Sequence, residues 1–267
     1  MKFIAILLCL IMLTACVGDG DTTPTVTDLQ AKNLRYGQKA EFDFLGTYLD
    51  KGLSATIPNC TGQTPTFITP THQVLTCTVT VVGDLAVEVR DGAGTVIFSK
   101  TFNVPAPRTT FITSMGNIVV ELNPTKAPLT ANNFLQYVQN GFYTNTLVHR
   151  VIAGYVIQGG GFAPGFVIKP GALAPISLES HNGLSNQRGT IGMARTPDPN
   201  SATSQFYFNV TDSLFLDDKD GGYAVFGKII EGLDVMDAIS IVPTAPHNGA
   251  PDFPVTDVVV KVALRTQ

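Results

Sequence analysis

Arg150 stands inside an alternating apolar and polar run, FYTNTLVHRVIAGYVIQGGGF at residues 142–162; Gln158 follows eight positions later and three glycines, Gly159 to Gly161, come next. Alternation of this kind belongs to a half-buried strand. An arginine among branched and aromatic side chains is costly unless its guanidinium meets a partner or a ligand. The chemistry open to it is donation without proton transfer, because the group stays charged and carries its donors in a rigid fork. Other chemistries have little to stand on. The chain holds no GxSxG elbow, no HExxH pair and no carboxylate pair at suggestive spacing, and no helix or Gly-Lys-Ser/Thr follows the triple glycine as in a phosphate loop. Glycine there allows close backbone packing at a sharp turn.

The elements that must position these residues are mostly strands. Residues 111–122 (FITSMGNIVVEL) read as two strands around a turn at Met115-Gly116-Asn117. Residues 128–140 carry Phe134, Leu135 and Val138 at helical spacing, with Gly141 where a helix stops. A second helix is expected at residues 233–241, where Val235 and Ile239 stand four apart. Upstream, residues 29–104 break into short alternating runs at 39–44, 55–57, 73–82, 85–90 and 95–102, with a hairpin turn at Asp91-Gly92. Such spacing predicts a small immunoglobulin-like β-sandwich. Asn103-Val104-Pro105-Ala106-Pro107 reads as a stiff linker that keeps the two parts spaced.

The composition agrees with two globular β-rich units: 267 residues, 44% hydrophobic, 14% charged, 25 Gly and 17 Pro. With a net charge of −4 and no basic run, nucleic-acid binding is not expected. The N-terminus, MKFIAILLCLIMLTAC, has Lys2 followed by an apolar run too short to span a bilayer, which reads as an export signal. It ends in Leu13-Thr14-Ala15-Cys16, which resembles a bacterial lipobox. Residues 1–15 would then be removed and Cys16 lipidated; a plain secretory signal cut after Ala15 is the alternative. Val17, which is not Asp, resembles outer-membrane sorting, and residues 16–28 read as a flexible tether. Cys60 and Cys77 are the other cysteines of the mature chain. In an exported protein an even pair indicates a disulfide; zinc is the rival, with only His72 nearby. Asn59-Cys60-Thr61 and Asn209-Val210-Thr211 match a glycosylation acceptor by chance.

Four blocks in order, the run around Arg150, RGTIGMAR at 188–195, SATSQFYFNV at 201–210 and YAVFGKIIEG at 223–232, resemble the cyclophilin-type peptidyl-prolyl cis-trans isomerases, in wording the bacterial exported branch. The resemblance runs from about residue 111 to the C-terminus. It implies that residues 110–267, after a linker at 105–109, form an eight-stranded antiparallel β-barrel capped by two helices. It also implies isomerisation of X–Pro bonds in unfolded or flexible chains, with no cofactor and no metal. Arg150 matches the family's catalytic arginine, and Gln158 the glutamine that orients it and the substrate carbonyl. Gln205 matches a second glutamine on the binding face. Tyr155, Val156, Tyr207 and Leu216 fall where the family forms its proline pocket, usually from Phe, Met, Phe and Leu, and Ala194 lies beside the peptide groove.

Three positions depart from the pattern. Phe215 stands where many members have Trp, so cyclosporin binding is expected to be weak; Arg195 replaces a common Asn and Tyr223 a common His. All three remain candidate substrate contacts, although Tyr223 reads equally as barrel packing. His149 beside Arg150 invites an acid–base reading, but the reaction moves no proton, so a structural role is expected. Together with the lipobox-like N-terminus, the resemblance suggests an extracytoplasmic isomerase tethered by Cys16 to a bacterial membrane, the outer one favoured. The rival is a proline-peptide-binding chaperone or docking module without catalysis.

Overall fold

The computed structural model describes residues 22–267. The signal at 1–15, the lipidation residue Cys16 and the start of the tether lie outside the described residues. Seven strands come first: β1 (Thr25–Lys32), β2 (Lys39–Thr47), β3 (Ser54–Thr56), β4 (Cys60–Thr69), β5 (His72–Val79), β6 (Gly83–Arg90) and β7 (Val96–Val104). They make two sheets, in the orders β1-β2-β5-β4 and β3-β6-β7. Alternation drives the pairing: β2 buries Ala40, Phe42 and Phe44, with Asp43 between them also buried, and β6 buries Leu85, Val87 and Val89. Phe42 of the first sheet meets Phe102 of the second edge-on, with ring centroids 5.8 Å apart. The β6–β7 hairpin turns where Asp91 was expected to turn it, its carboxylate accepting from the backbone N–H of Ala93 and Thr95.

Three expectations need correcting. Residues 25–28 belong to β1, where the sequence suggested tether. A fourth strand, β4, appears where no run was seen, because every residue after Cys60 in it is exposed and no alternation marks it. The two parts are also docked, not spaced. Arg265 Nη2 donates to the Tyr36 carbonyl at 2.5 Å, and buried apolar residues of both parts join one connected cluster.

Cys60 and Cys77 form a disulfide between the neighbouring strands β4 and β5, with Cα atoms 5.6 Å apart. His72, the nearest candidate for a zinc site, places its Nε2 2.8 Å from Asp43 Oδ1 instead. Among the described residues, no group of three or more His, Cys, Asp or Glu side chains could hold a metal ion.

The remaining elements are β8 (Arg108–Thr113), β9 (Asn117–Leu122), α1 (Pro128–Gln139), β10 (Thr146–Ile152), β11 (Val156–Gly159), β12 (Phe162–Ala163), β13 (Val167–Ile168), β14 (Thr190–Met193), β15 (Phe206–Asn209), β16 (Val225–Glu231), α2 (Leu233–Ser240), β17 (Thr244–His247), β18 (Ala250–Pro254) and β19 (Val258–Arg265). Eight of the strands close a barrel in the order β10-β11-β15-β14-β16-β9-β8-β19, all pairs antiparallel. Aromatic rings fill it: Phe111 lies within 6 Å of Phe134, Phe206 and Phe208, at 5.9, 5.0 and 5.8 Å. Helix α1 starts on Pro128, whose missing N–H is no loss there. The Glu179 carboxylate accepts from the free N–H groups of Leu129 and Thr130 in its first turn. Outside the barrel, β12 pairs with β13 and β17 with β18 as two short ribbons. No helix among the described residues is long and apolar enough to cross a membrane.

Candidate active site

A row of facing residues crosses four adjacent barrel strands. Arg150 on β10 pairs with Gln158 on β11, Gln158 with Tyr207 on β15, and Tyr207 with Gly192 on β14. Residues opposite one another in a sheet share a face, and the inner face here is taken by Ile157, Phe206 and Phe208, so the row lies on the outside. Glycine ends it for a steric reason. A Cβ on Gly192 would stand 2.3 Å from Cζ and Oη of Tyr207, so the phenol ring lies across a strand position that must have no side chain.

Val156, two residues before Gln158, shares its face, as does Ala194, two beyond Gly192. Leu216 arrives on a short 3-10 turn, Leu214–Asp217. Val156, Tyr207 and Leu216 form a small buried cluster of their own, against which Tyr155, Ala194 and Tyr223 pack. The cluster floors an open cleft of about 320 Å³, with Arg150, Gln158, Arg195 and Lys219 on its rim. The structure thus brings together nine of the side chains named from the sequence around one apolar slot. Phe215 stands outside it: it is 56% exposed and stacks on Tyr155 at 5.7 Å.

The polar groups divide by how their donors are spent. Arg195 is committed to the protein. Its guanidinium donates to the carbonyls of Thr196, Asp220 and Gly222 and lies 4.5 Å from the Tyr223 ring centroid, so it fastens the 218–223 turn more than it offers donors. Gln158 does not bond the arginine as the resemblance implied. Its Nε2 donates to Gln205 Oε1 at 3.0 Å, and a Cβ on Gly161 would collide with that Gln205 side chain at 2.6 Å. Glycine at 161 therefore makes room for the glutamine pair. Arg150 is different again: its Nε lies 3.6 Å from Asp252 Oδ2, it is 40% exposed, and its two terminal nitrogens make no hydrogen bond among the described residues.

Tyr207 carries a hydroxyl that the family's usual Phe lacks, and burial raises its pKa well above the ordinary phenol value. The buried O–H donates to Asn186 Oδ1 at 2.6 Å; Asn186 in turn donates through Nδ2 to Asp217 Oδ1 at 2.7 Å. Asn186 and Asp217 behind the slot and Lys219 on its rim were not foreseen, since nothing in local spacing marks residues that loops and turns deliver there. Beside Arg150, His149 turns the other way. Its ring packs on Phe162 at 4.7 Å, and burial, with the charge of Arg150 adding, lowers its pKa to about 4. It is neutral at neutral pH and faces away from the cleft.

Arranged in this way, the site can hold a small apolar ring and present two unspent N–H donor groups to whatever sits at its edge. The family profile described as cyclophilin type peptidyl-prolyl cis-trans isomerase/CLD matches residues 108–263. The chain is similar to a peptidyl-prolyl cis-trans isomerase of Acinetobacter baylyi, 51% identical over 155 residues, covering 56% of this chain and 82% of the relative. It is also similar to peptidyl-prolyl cis-trans isomerase B of Escherichia coli, 46% identical over 157 residues, covering 57% and 95%. Among solved structures, a cyclophilin type peptidyl-prolyl cis-trans isomerase of Cryptosporidium parvum, determined in the presence of the dipeptide Ala-Pro, superposes with a TM-score of 0.51 at 25% identity, covering 60% of this chain and 99% of that one.

Proposed function

The chain belongs to the cyclophilin-type peptidyl-prolyl cis-trans isomerases, and from that membership we infer that the slot beside Arg150 takes a proline ring while the preceding peptide bond turns. Amide resonance sets the barrier of an X–Pro bond at about 18–20 kcal/mol. At the halfway twist that resonance is gone and the prolyl nitrogen has its lone pair back. A donor aimed there bonds the twisted state and not the planar one, which is the condition for catalysis. The observation that carries the reading is the position of Arg150, on the rim of the slot floored by Val156, Tyr207 and Leu216, with its terminal nitrogens unspent. Lowering the barrier by about 5 kcal/mol gives several thousandfold.

Gln158 and Gln205, bonded to each other, are placed to meet the peptide backbone on the same face. Phe215 has no indole N–H to offer, so cyclosporin binding is expected to be weak. The protein as residues 22–267 is expected to accelerate cis/trans conversion of a proline tetrapeptide, and Arg150→Ala to lower that rate about 100-fold. A variant as fast as the parent would remove Arg150 from the role.

The cellular setting is part of the same reading. A signal ending in Leu13-Thr14-Ala15-Cys16 supports lipidation at Cys16 and tethering outside the cytoplasm, at the outer membrane in preference to the inner, where exported chains fold. Several acyl chains on one residue anchor stably where a single chain does not. Labelling with a fatty-acid analogue should mark the parent and not Cys16→Ala; equal labelling of both would end the anchor. For residues 25–104 the strand orders β1-β2-β5-β4 and β3-β6-β7 support an immunoglobulin-like sandwich, acting as spacer or partner-binding module. Its disulfide lies within one sheet instead of bridging two.

A further inference from the structure

We propose that Asp252 is the positioning residue for Arg150, aiming the guanidinium from the side opposite the proline slot. The sequence puts Asp252 and Phe253 next to each other in β18, so their side chains leave the strand on opposite sides. His149 and Arg150 are likewise neighbours in β10. The two alternations are matched. On one side a chain of rings joins the ribbon to the barrel strand: Phe253 stacks on His247 at 4.7 Å and meets Phe166 at 5.2 Å, Phe166 stacks on Phe162 at 4.3 Å, and Phe162 packs on His149 at 4.7 Å. On the other side the Asp252 carboxylate reaches Arg150 Nε at 3.6 Å and makes no other contact among the described residues. Packing of Phe253 therefore sets the register that brings a charge to Nε.

The consequence is directional. A carboxylate nearest Nε attracts that end of the fork, while Nη1 and Nη2 make no hydrogen bond among the described residues. Gln158, across the strand from Arg150, makes no hydrogen bond to it; its Nε2 donates to Gln205. A half-exposed ion pair contributes little to stability, so its value lies in where it holds the arginine. Small displacements of a catalytic group are expensive in rate.

The proposal builds on the isomerase reading of the cleft. A parent without activity sinks that reading; an active parent with an equally active Asp252→Asn variant sinks only this proposal. In Asp252→Asn, kcat on a proline tetrapeptide is expected to fall about tenfold while KM stays within about twofold. Asp252→Glu should restore at least half of the loss. In an Arg150→Ala background the same substitution should cost nothing further, because its effect passes through the arginine. The Nε–Hε resonance of Arg150 should move or broaden in Asp252→Asn while backbone amides elsewhere stay in place. Unchanged or raised kcat would overturn the proposal, the second by showing that the carboxylate competes with substrate. A loss that persists without Arg150 would overturn it as well. Should the asparagine variant fail to fold, added salt decides on the parent alone: screening should lower kcat, and a kcat indifferent to salt contradicts the pairing.

Discussion

Residues 25–104 and residues 108–265 are both antiparallel β-structure, yet they solve the same problem differently. The barrel closes on itself and leaves no strand edge, and a dense group of rings around Phe111, Phe134 and Phe206 backs its wall. The two sheets of the first part stay open, with β4 exposed along almost its whole length, and a covalent link fastens that strand to β5. The difference shows what a row of fixed side chains requires. Arg150, Gln158 and Tyr207 face outward from strands whose inner faces are packed solid, so their spacing is fixed from behind. Among the described residues, the two sheets of the first part carry no comparable row. The exposed positions of that part mix polar and charged side chains with Phe67, Ile68 and Val96, and Asp43, the one buried charged group among its described residues, is occupied by Lys32 and His72.

The contrast predicts different weak points. The largest effect expected is from acid, and it should fall on the barrel. His149 is held near pKa 4 by burial, against an ordinary value of 6.5. Between pH 6.5 and 4 the unfolded chain therefore binds a proton that the folded one refuses. Stability is full above pH 6.5 and declines as pH falls, by about 3 kcal/mol through this group. Urea denaturation across that range should show the slope, and His149→Phe should flatten it; an equal slope in both proteins would place the sensitivity elsewhere. A smaller effect is expected from reductant, and on the sandwich. Removing the Cys60–Cys77 link should cost about 2–3 kcal/mol on the chain-entropy model. Isomerisation by the still folded protein should be unchanged in Cys60→Ala/Cys77→Ala. A parallel fall in activity would mean that the docked parts behave as one unit, coupled through contacts such as Arg265 to Tyr36.

What could be read in advance follows the same division. The barrel, both helices and most of the pocket were legible, because Arg150, Gln158, Tyr207 and Leu216 sit in contiguous blocks whose wording is itself the signal. In the first part β2, β3, β5, β6 and β7 were legible, and β1, placed partly in the tether, was missed. β4 was missed as well, since an edge strand wet on both faces has no hydrophobic period. The parts of the site that escaped notice are long-range. Asp252 is one of 21 acidic residues, and only the ribbon's ring contacts bring it to Arg150. Asn186 meets Tyr207 only once the loop before β14 has folded behind the slot. Gln158 was assigned to the arginine by resemblance, whereas its amide found Gln205 on the other side. Arg195 was named as a substrate contact, but carbonyls of the turn it supports take up its donors.

The central claim is that the terminal nitrogens of Arg150 act on the twisted bond and not on the bound ground state. The direct test measures isomerisation rate and peptide affinity together in the parent and in Arg150→Ala. The rate is expected to fall about 100-fold while the dissociation constant for the peptide changes less than about threefold. An unchanged rate, or a loss of affinity large enough to account for the whole loss of rate, would contradict it.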